Sequence, residues 1–132
     1  MPNAIYPKGK ERLLKGDFDL DVDTIRVVLV DLADYTYSAA HTALSDIAAG
    51  GQVATITLAS ITSVNGLFDA ADATFSAVTG DVSEALVIYK DSGVASTSWL
   101  LVFFDTGVTG LPVTPNGTDI NIVWNAGGIV QF

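Results

Sequence analysis

Short segments typical of β-strands, separated by turn signals at close intervals, constrain this 132-residue sequence more than any other feature. Alternating or β-branched segments occupy residues 24–30, 52–59, 84–89, 97–104 and 118–124. Asn-Gly at 65–66 and the run 90–93 are typical hairpin turns, and a last apolar segment follows at 129–132. The spacing predicts seven or eight short strands. It therefore favours a single mostly-β domain, either a β-sandwich or a jelly-roll-like barrel.

Two segments suit short helices. Residues 8–15 follow Pro7, a residue favoured at the first helical position, and precede Gly16. Residues 37–47 place small and aliphatic side chains on one helical face. We therefore expect residues 1–15 to form a basic arm or short helix and residues 16–132 to form one β-rich domain. The basic segment is either a docking arm or an amphipathic turn that packs through Leu13 and Leu14.

Charge is distributed unevenly along the chain. Residues 16–132 hold two basic residues against fourteen acidic ones, and the whole chain has a formal net charge of −9. Phosphate neutralisation supplies most of the affinity for nucleic acid, so this balance argues against a nucleic-acid partner. The other four basic residues fall within eight positions near the N-terminus, and we expect them to form an interface with an acidic partner or a second copy: Lys8, Lys10, Arg12 and Lys15.

The apolar runs and the composition also indicate where the protein is made and which sites it cannot have. No apolar run approaches the ~18–20 residues that span a bilayer, and the N-terminal segment lacks the apolar core of a signal peptide. We expect synthesis in a cytoplasm and no membrane partner. The absence of cysteine excludes disulfides and thiolate zinc sites.

Three motifs resemble catalytic or metal-binding sites. Asp105-Thr-Gly107 after two phenylalanines resembles the aspartic-protease turn, but only 25 residues follow it, too few for the rest of that fold. The acidic run 17–23 alternates with apolar residues, and this period of two predicts a half-buried strand or extended segment. It lacks the glycine and glutamate of a calcium loop, and as a strand it would space its carboxylates too widely for one ion. The residue types of a catalytic triad occur together at His41, Ser45 and Asp46, but no oxyanion turn accompanies them. We therefore expect no catalytic residue, cofactor or metal, and no enzymatic activity.

Several stretches resemble a family of small virion-associated proteins encoded by tailed bacteriophages. The resemblance lies in Tyr6–Glu11, Gly16–Asp21, Thr24–Val30 with Asp34–Thr36, Leu44–Ile47, Val53–Thr55, Phe68–Ala70, Ala85–Asp91 and Gly110–Gly117. It covers nearly the whole chain.

The resemblance implies a phage structural protein made in the bacterial cytoplasm and located in the virion. It leaves two roles open. The first is a capsid decoration (cement) protein that stabilises the head lattice on the major capsid protein, and the second is a tail, baseplate or fibre-associated adaptor. The compact acidic β-domain favours the first role and a homo-oligomer.

Overall fold

Strands dominate the structure, a computed structural model that describes residues 3–132. The strands are β1 (Ala4–Ile5), β2 (Ile25–Val30), β3 (Gln52–Thr57), β4 (Thr62–Val64), β5 (Leu67–Asp69), β6 (Ala73–Phe75), β7 (Ala85–Lys90), β8 (Leu100–Phe104), β9 (Ile120–Ile122) and β10 (Val130–Gln131). Among the described residues there is one α-helix, α1 (Pro7–Leu14). Short 3-10 turns lie at Leu44–Asp46, Ala49–Gly51 and Ala95–Thr97.

Three antiparallel sheets organise these strands. The largest has the order β1-β8-β7-β2-β3, and the two smaller ones have the orders β10-β5-β4 and β6-β9. Asn65 and Gly66 connect β4 to β5 with φ values of 54° and 79°. Positive φ at both positions is what a two-residue hairpin turn needs, so the sequence prediction of this turn is confirmed.

The central strands β2, β7 and β8 are buried on both faces. One face packs on a core that includes Leu29, Ile88 and Phe68, and the other packs on a core that includes Val28, Val87 and Tyr6. Burial on both sides explains why these strands are nearly continuous apolar runs in the sequence rather than alternating ones. It also places the outer segments of the chain on either side of the large sheet.

Helix α1 protects one edge of that sheet. β1 pairs with only two residues of β8, and α1 continues along the rest of β8. A Cβ built on Gly9 would lie 2.6 Å from the carbonyl oxygen of Leu100, so the helix backbone packs directly on the strand. An uncovered strand edge invites pairing with other chains, and the short β1 together with α1 removes that opportunity here.

The helix predicted over residues 37–47 does not form. Leu44 N–H donates to Ser98 O, and Leu100 N–H donates to Thr42 O, so this part of the chain pairs with the segment that enters β8. Only the 3-10 turn Leu44–Asp46 remains. Tertiary pairing therefore overrides a weak helical pattern, a common outcome for short segments.

The strand or extended segment predicted over residues 17–23 is also wrong, because the chain turns there. The Asp19 N–H donates to Asp23 Oδ2 over 2.7 Å, and the Asp21 N–H donates to Asp19 Oδ1 over 3.1 Å. Aspartate side chains favour such local turns by accepting bonds from nearby backbone amides. Phe18 alone of this run is buried in the core.

The predicted fold class is confirmed as a small mostly-β single domain with one short helix. Sandwich and jelly-roll-like barrel both stay predictions for the finer arrangement of its sheets. No helix in residues 3–132 is long and apolar enough to cross a membrane.

Candidate interaction surface

Two of the four basic residues predicted at an interface share one acidic partner on α1. Lys8 Nζ and Lys15 Nζ each lie 3.2 Å from a different carboxylate oxygen of Glu11. The hydrogen bonds from Lys15 and Lys8 hold the pKa of Glu11 below its ordinary value. Both pairs are exposed to solvent, where such bridges contribute little to stability. They do reduce the net positive charge that the helix presents.

Arg12 is engaged with the body of the domain. Its Nη1 lies 3.3 Å from Asp17 Oδ2, and its guanidinium carbon lies 3.4 Å from the centroid of the Trp99 ring. Contact between a guanidinium and an indole face is favourable. Arg12 therefore fixes the end of α1 against Trp99, which directly precedes β8, and against the acidic turn (residues 17–23) rather than projecting into solvent.

Lys10 differs from the other three basic residues of the segment. It is exposed, and no salt bridge involves it within residues 3–132. It borders a cavity of about 370 Å³ between α1 and the C-terminal strand, lined by Ile5, Lys10, Leu13, Leu14, Gln131 and Phe132. Lys10 is thus the cation of this segment most available to an acidic partner.

Four large apolar side chains are exposed on this cavity or on segments connected to it. Leu14 and Phe132 line the cavity, whereas Val22 lies in the acidic run 17–23 and Val64 in β4. Leu14 is 88% exposed, Val22 78%, Val64 64% and Phe132 40%. Together with Lys10 they define what we call the apolar end of the molecule. Contiguous apolar surface on a soluble protein commonly marks an interaction site.

Hydrogen bonds and an ion pair join the segments that carry these side chains. Arg12 links α1 to the acidic turn through Asp17, and Ser63 Oγ in β4 donates to Asp21 Oδ1 over 3.3 Å. The C-terminal strand connects the β4–β5 hairpin back to α1. The Phe132 N–H donates to Gly66 O over 2.8 Å, and Phe132 also borders the cavity beside α1. These contacts join three parts of the chain that are distant in sequence: α1 with the acidic turn that follows it, the β4–β5 hairpin, and the C-terminal strand.

Sequence reasoning finds only part of this surface. It assigns both leucines of α1 to packing, whereas Leu13 packs on the core and Leu14 points to solvent. The alternating pattern predicts Val22 on the buried face of a strand that does not form. Val64 and Phe132 lie in short segments whose sequence alone does not distinguish exposed from buried apolar residues.

A hydrogen-bonded aromatic cluster lies on the other face of the large sheet. The hydroxyl oxygens of Tyr6 and Tyr35 are 2.8 Å apart, and Tyr35 Oη lies 2.8 Å from His41 Nδ1. Burial raises the pKa of Tyr35 to about 12 and holds the pKa of Tyr6 still further above its ordinary value. His41 therefore binds a tyrosine, while Ser45 is exposed and Asp46 bonds the backbone.

Asp46 holds the turn that replaces the predicted helix. Its Oδ2 accepts hydrogen bonds from Thr42 N at 2.7 Å and Ala43 N at 3.1 Å, and these two bonds lower the pKa of the carboxyl group. We expect Asp46→Ala to destabilise the fold by about 1 kcal/mol at pH 7. A lowered folded-state pKa contributes stability that is present above the ordinary pKa near 4 and is lost as the pH falls below it.

Urea unfolding at pH 7 and at pH 3 checks this prediction. The difference between Asp46→Ala and wild type should shrink at pH 3, where the wild-type carboxylate is increasingly protonated. Ser45→Ala, at the exposed neighbouring position, serves as the control and should leave stability unchanged at both pH values. A pH-independent loss would contradict the charge-assisted role of Asp46.

Two other polar clusters have local roles. Asn3 Oδ1 accepts hydrogen bonds from the backbone N–H groups of Asp105 and Thr106 at 2.8 and 3.1 Å, which fixes the turn after β8. Asp31, Asp34 and Asp81 place one carboxylate oxygen each within 4.8 Å of one another. They could offer oxygen ligands to a divalent cation, but Asp31 Oδ1 already accepts from Ala33 N, and we assign the cluster no function.

No protein-family model matches the chain, and a search of curated proteins finds no significant match.

Proposed function

We propose that this protein is a bacteriophage capsid decoration protein that stabilises the head lattice through contacts with the major capsid protein and with copies of itself. The observation that carries the proposal is the apolar end. Four of the seven large apolar side chains that are exposed in residues 3–132 belong to this surface, together with an available lysine. Such a surface on a small acidic β-domain is suited to assembly. The resemblance to virion-associated phage proteins supports a structural role in the virion and leaves both the head and the tail open.

The aromatic side chains favour the head over a receptor-binding role in the tail. Tyr35 is 4% exposed, Trp124 is 7% exposed, and Trp99 is half-buried beneath Arg12. Recognition of sugars and peptides by a fibre module commonly uses exposed aromatic faces. The tyrosine and tryptophan rings of residues 3–132 are buried or half-buried, and Phe132 is the one exposed aromatic ring among these residues. The fold therefore presents few aromatic faces of the kind that a host-binding tail or fibre protein would use.

Quantitative mass spectrometry of virions of the encoding phage tests the proposal. We expect a copy number comparable to that of the major capsid protein, and density for this chain on the head surface. Heads that lack the protein should bind it after expansion and then withstand higher temperature, because added contacts stabilise the assembled state. A much lower copy number, or density confined to the tail or baseplate, would contradict the decoration role and favour the adaptor role.

A further inference from the structure

We propose that the apolar end is a contact between two copies of this chain, in which Lys10 of each copy faces Asp21 of the other across a two-fold axis. This inference names the surface and the partner for self-association. It does not depend on a location in the virion, because it concerns the isolated chain in solution.

The charges left unpaired at the apolar end are complementary. Asp17 and Asp23 pair with Arg12 and Lys90, whereas no salt bridge within residues 3–132 involves Asp19 or Asp21. The exposed acidic turn therefore carries two carboxylates that accept hydrogen bonds but have no basic partner among the described residues. Across the same surface, Lys10 is a cation without an acidic partner among the described residues.

This pattern suits a second copy better than an unrelated surface. A two-fold contact brings the same patch of both chains together, so that residue i meets residue j and residue j meets residue i. The surface is basic at Lys10 in α1 and acidic at Asp19 and Asp21 in the turn that follows α1, so a two-fold rotation can bring each charge onto its opposite. The patch is thus self-complementary in charge.

The overall charge points to the same end of the molecule. Two chains of net charge −9 repel each other over most of their surfaces. Four of the six basic residues lie in or directly after α1, so the approach of two copies is least opposed there. Burial of Leu14, Val22, Val64 and Phe132 then supplies the apolar contribution to association.

Sedimentation equilibrium of the purified chain tests the proposal. We expect a concentration-dependent dimer, and both Lys10→Glu and Asp21→Lys should weaken dimerisation on the order of tenfold, since each replacement enters the contact twice. Asp21→Lys distinguishes the proposed contact from general charge repulsion more clearly than Lys10→Glu does. It changes the net charge from −9 to −7, so reduced general repulsion would strengthen association, whereas the proposed contact predicts that association weakens.

Mixing the two single variants provides the decisive measurement. When a Lys10→Glu chain meets an Asp21→Lys chain, the carboxylate introduced at position 10 faces the ammonium introduced at position 21. The unchanged Asp21 of the first chain faces the unchanged Lys10 of the second. Both ion pairs therefore form, one with its signs reversed and the other as in the wild-type dimer. We expect the mixture to form a heterodimer with an affinity near that of the wild-type dimer. Leu14→Ser, at an exposed position where folding is little affected, should weaken every one of these dimers.

Asp81→Lys is the matched control. It makes the same charge change at an exposed site in the loop before β7, beside Asp31 at the opposite end of β2 from the acidic turn, and should not weaken dimerisation. A wild-type chain that stays monomeric at all accessible concentrations would overturn the proposal. Failure of the mixed variants to associate would overturn it as well. Neither result bears on copy number in the virion, so this proposal and the decoration role can fail separately.

Discussion

Gly9→Val is expected to destabilise the protein by about 2–4 kcal/mol, even though replacing glycine inside a helix ordinarily stabilises it. The reason is the contact between α1 and β8. A Cβ at position 9 would lie 2.6 Å from Leu100 O and 3.1 Å from Leu101 Cα, and both of these atoms belong to backbone that cannot rotate away. The helix would have to lift from the strand. Burial of Tyr6, which immediately precedes α1, would be lost with it.

Urea unfolding of Gly9→Val and of Gly9→Ala measures the effect. We expect the alanine variant also to lose stability, because the clash begins at Cβ. Gly50→Ala is the matched control, since its Cβ would lie 3.6 Å from Asp34 Oδ2, an ordinary contact, and its backbone has no positive φ. A Gly9→Ala variant more stable than wild type would show that α1 can move away from β8 at no cost.

The strands that form the large sheet could be predicted from the sequence, because the signal for each is strong and local. Residues 25–30 and 85–90 are rich in β-branched and aromatic side chains, and both form strands at the centre of the sheet. Their order in the sheet could not be predicted. β1 pairs with β8 across about 100 residues of sequence, and two residues carry no recognisable pairing signal of their own.

The two incorrect elements share a physical cause, which is competition from hydrogen bonds that periodicity does not describe. Residues 17–23 alternate as a strand would, but aspartate side chains bond the local backbone and make a turn. Residues 37–47 have a helical pattern, but Thr42 and Leu44 pair with the chain that leads into β8. A periodic pattern of only seven or eleven residues is weak evidence for a strand or a helix when such hydrogen-bond partners compete with it.

The basic segment illustrates how much of a surface a sequence can reveal. The cluster of four cations is evident from the sequence, but which of them are paired within the chain and which is available to a partner depends on the fold. Glu11 lies within reach of Lys8 and Lys15, and Trp99 lies beneath Arg12 only because β8 passes under the helix. Lys10 is distinguished solely by the neighbours it lacks among the described residues.

Raising the pH above 10 is expected to cost the fold several kcal/mol through the aromatic cluster around Tyr6 and Tyr35. Both phenols have a folded-state pKa above the ordinary value of 10, because burial disfavours the phenolate. A raised folded-state pKa gives stability that is complete below the unfolded-state pKa and is lost as the pH rises toward the folded-state value. Above pH 10 each such group removes up to about 1.4 kcal/mol per pH unit, since the unfolded chain ionises and the native chain does not.

Unfolding free energies of wild type and of Tyr6→Phe/Tyr35→Phe, measured from pH 7 to pH 12, separate this contribution from that of other groups. At neutral pH the variant should be less stable by about 1–2 kcal/mol, because the buried hydroxyl–hydroxyl bond and the bond to His41 are lost. Above pH 10 its stability should fall less steeply than that of wild type, and the two curves should converge. Tyr89, whose pKa burial also raises, is present in both proteins and leaves a common residual slope. Parallel curves across the whole range would mean that Tyr6 and Tyr35 ionise as readily in the folded chain as in the unfolded one, so that the buried hydroxyl pair does not survive at high pH.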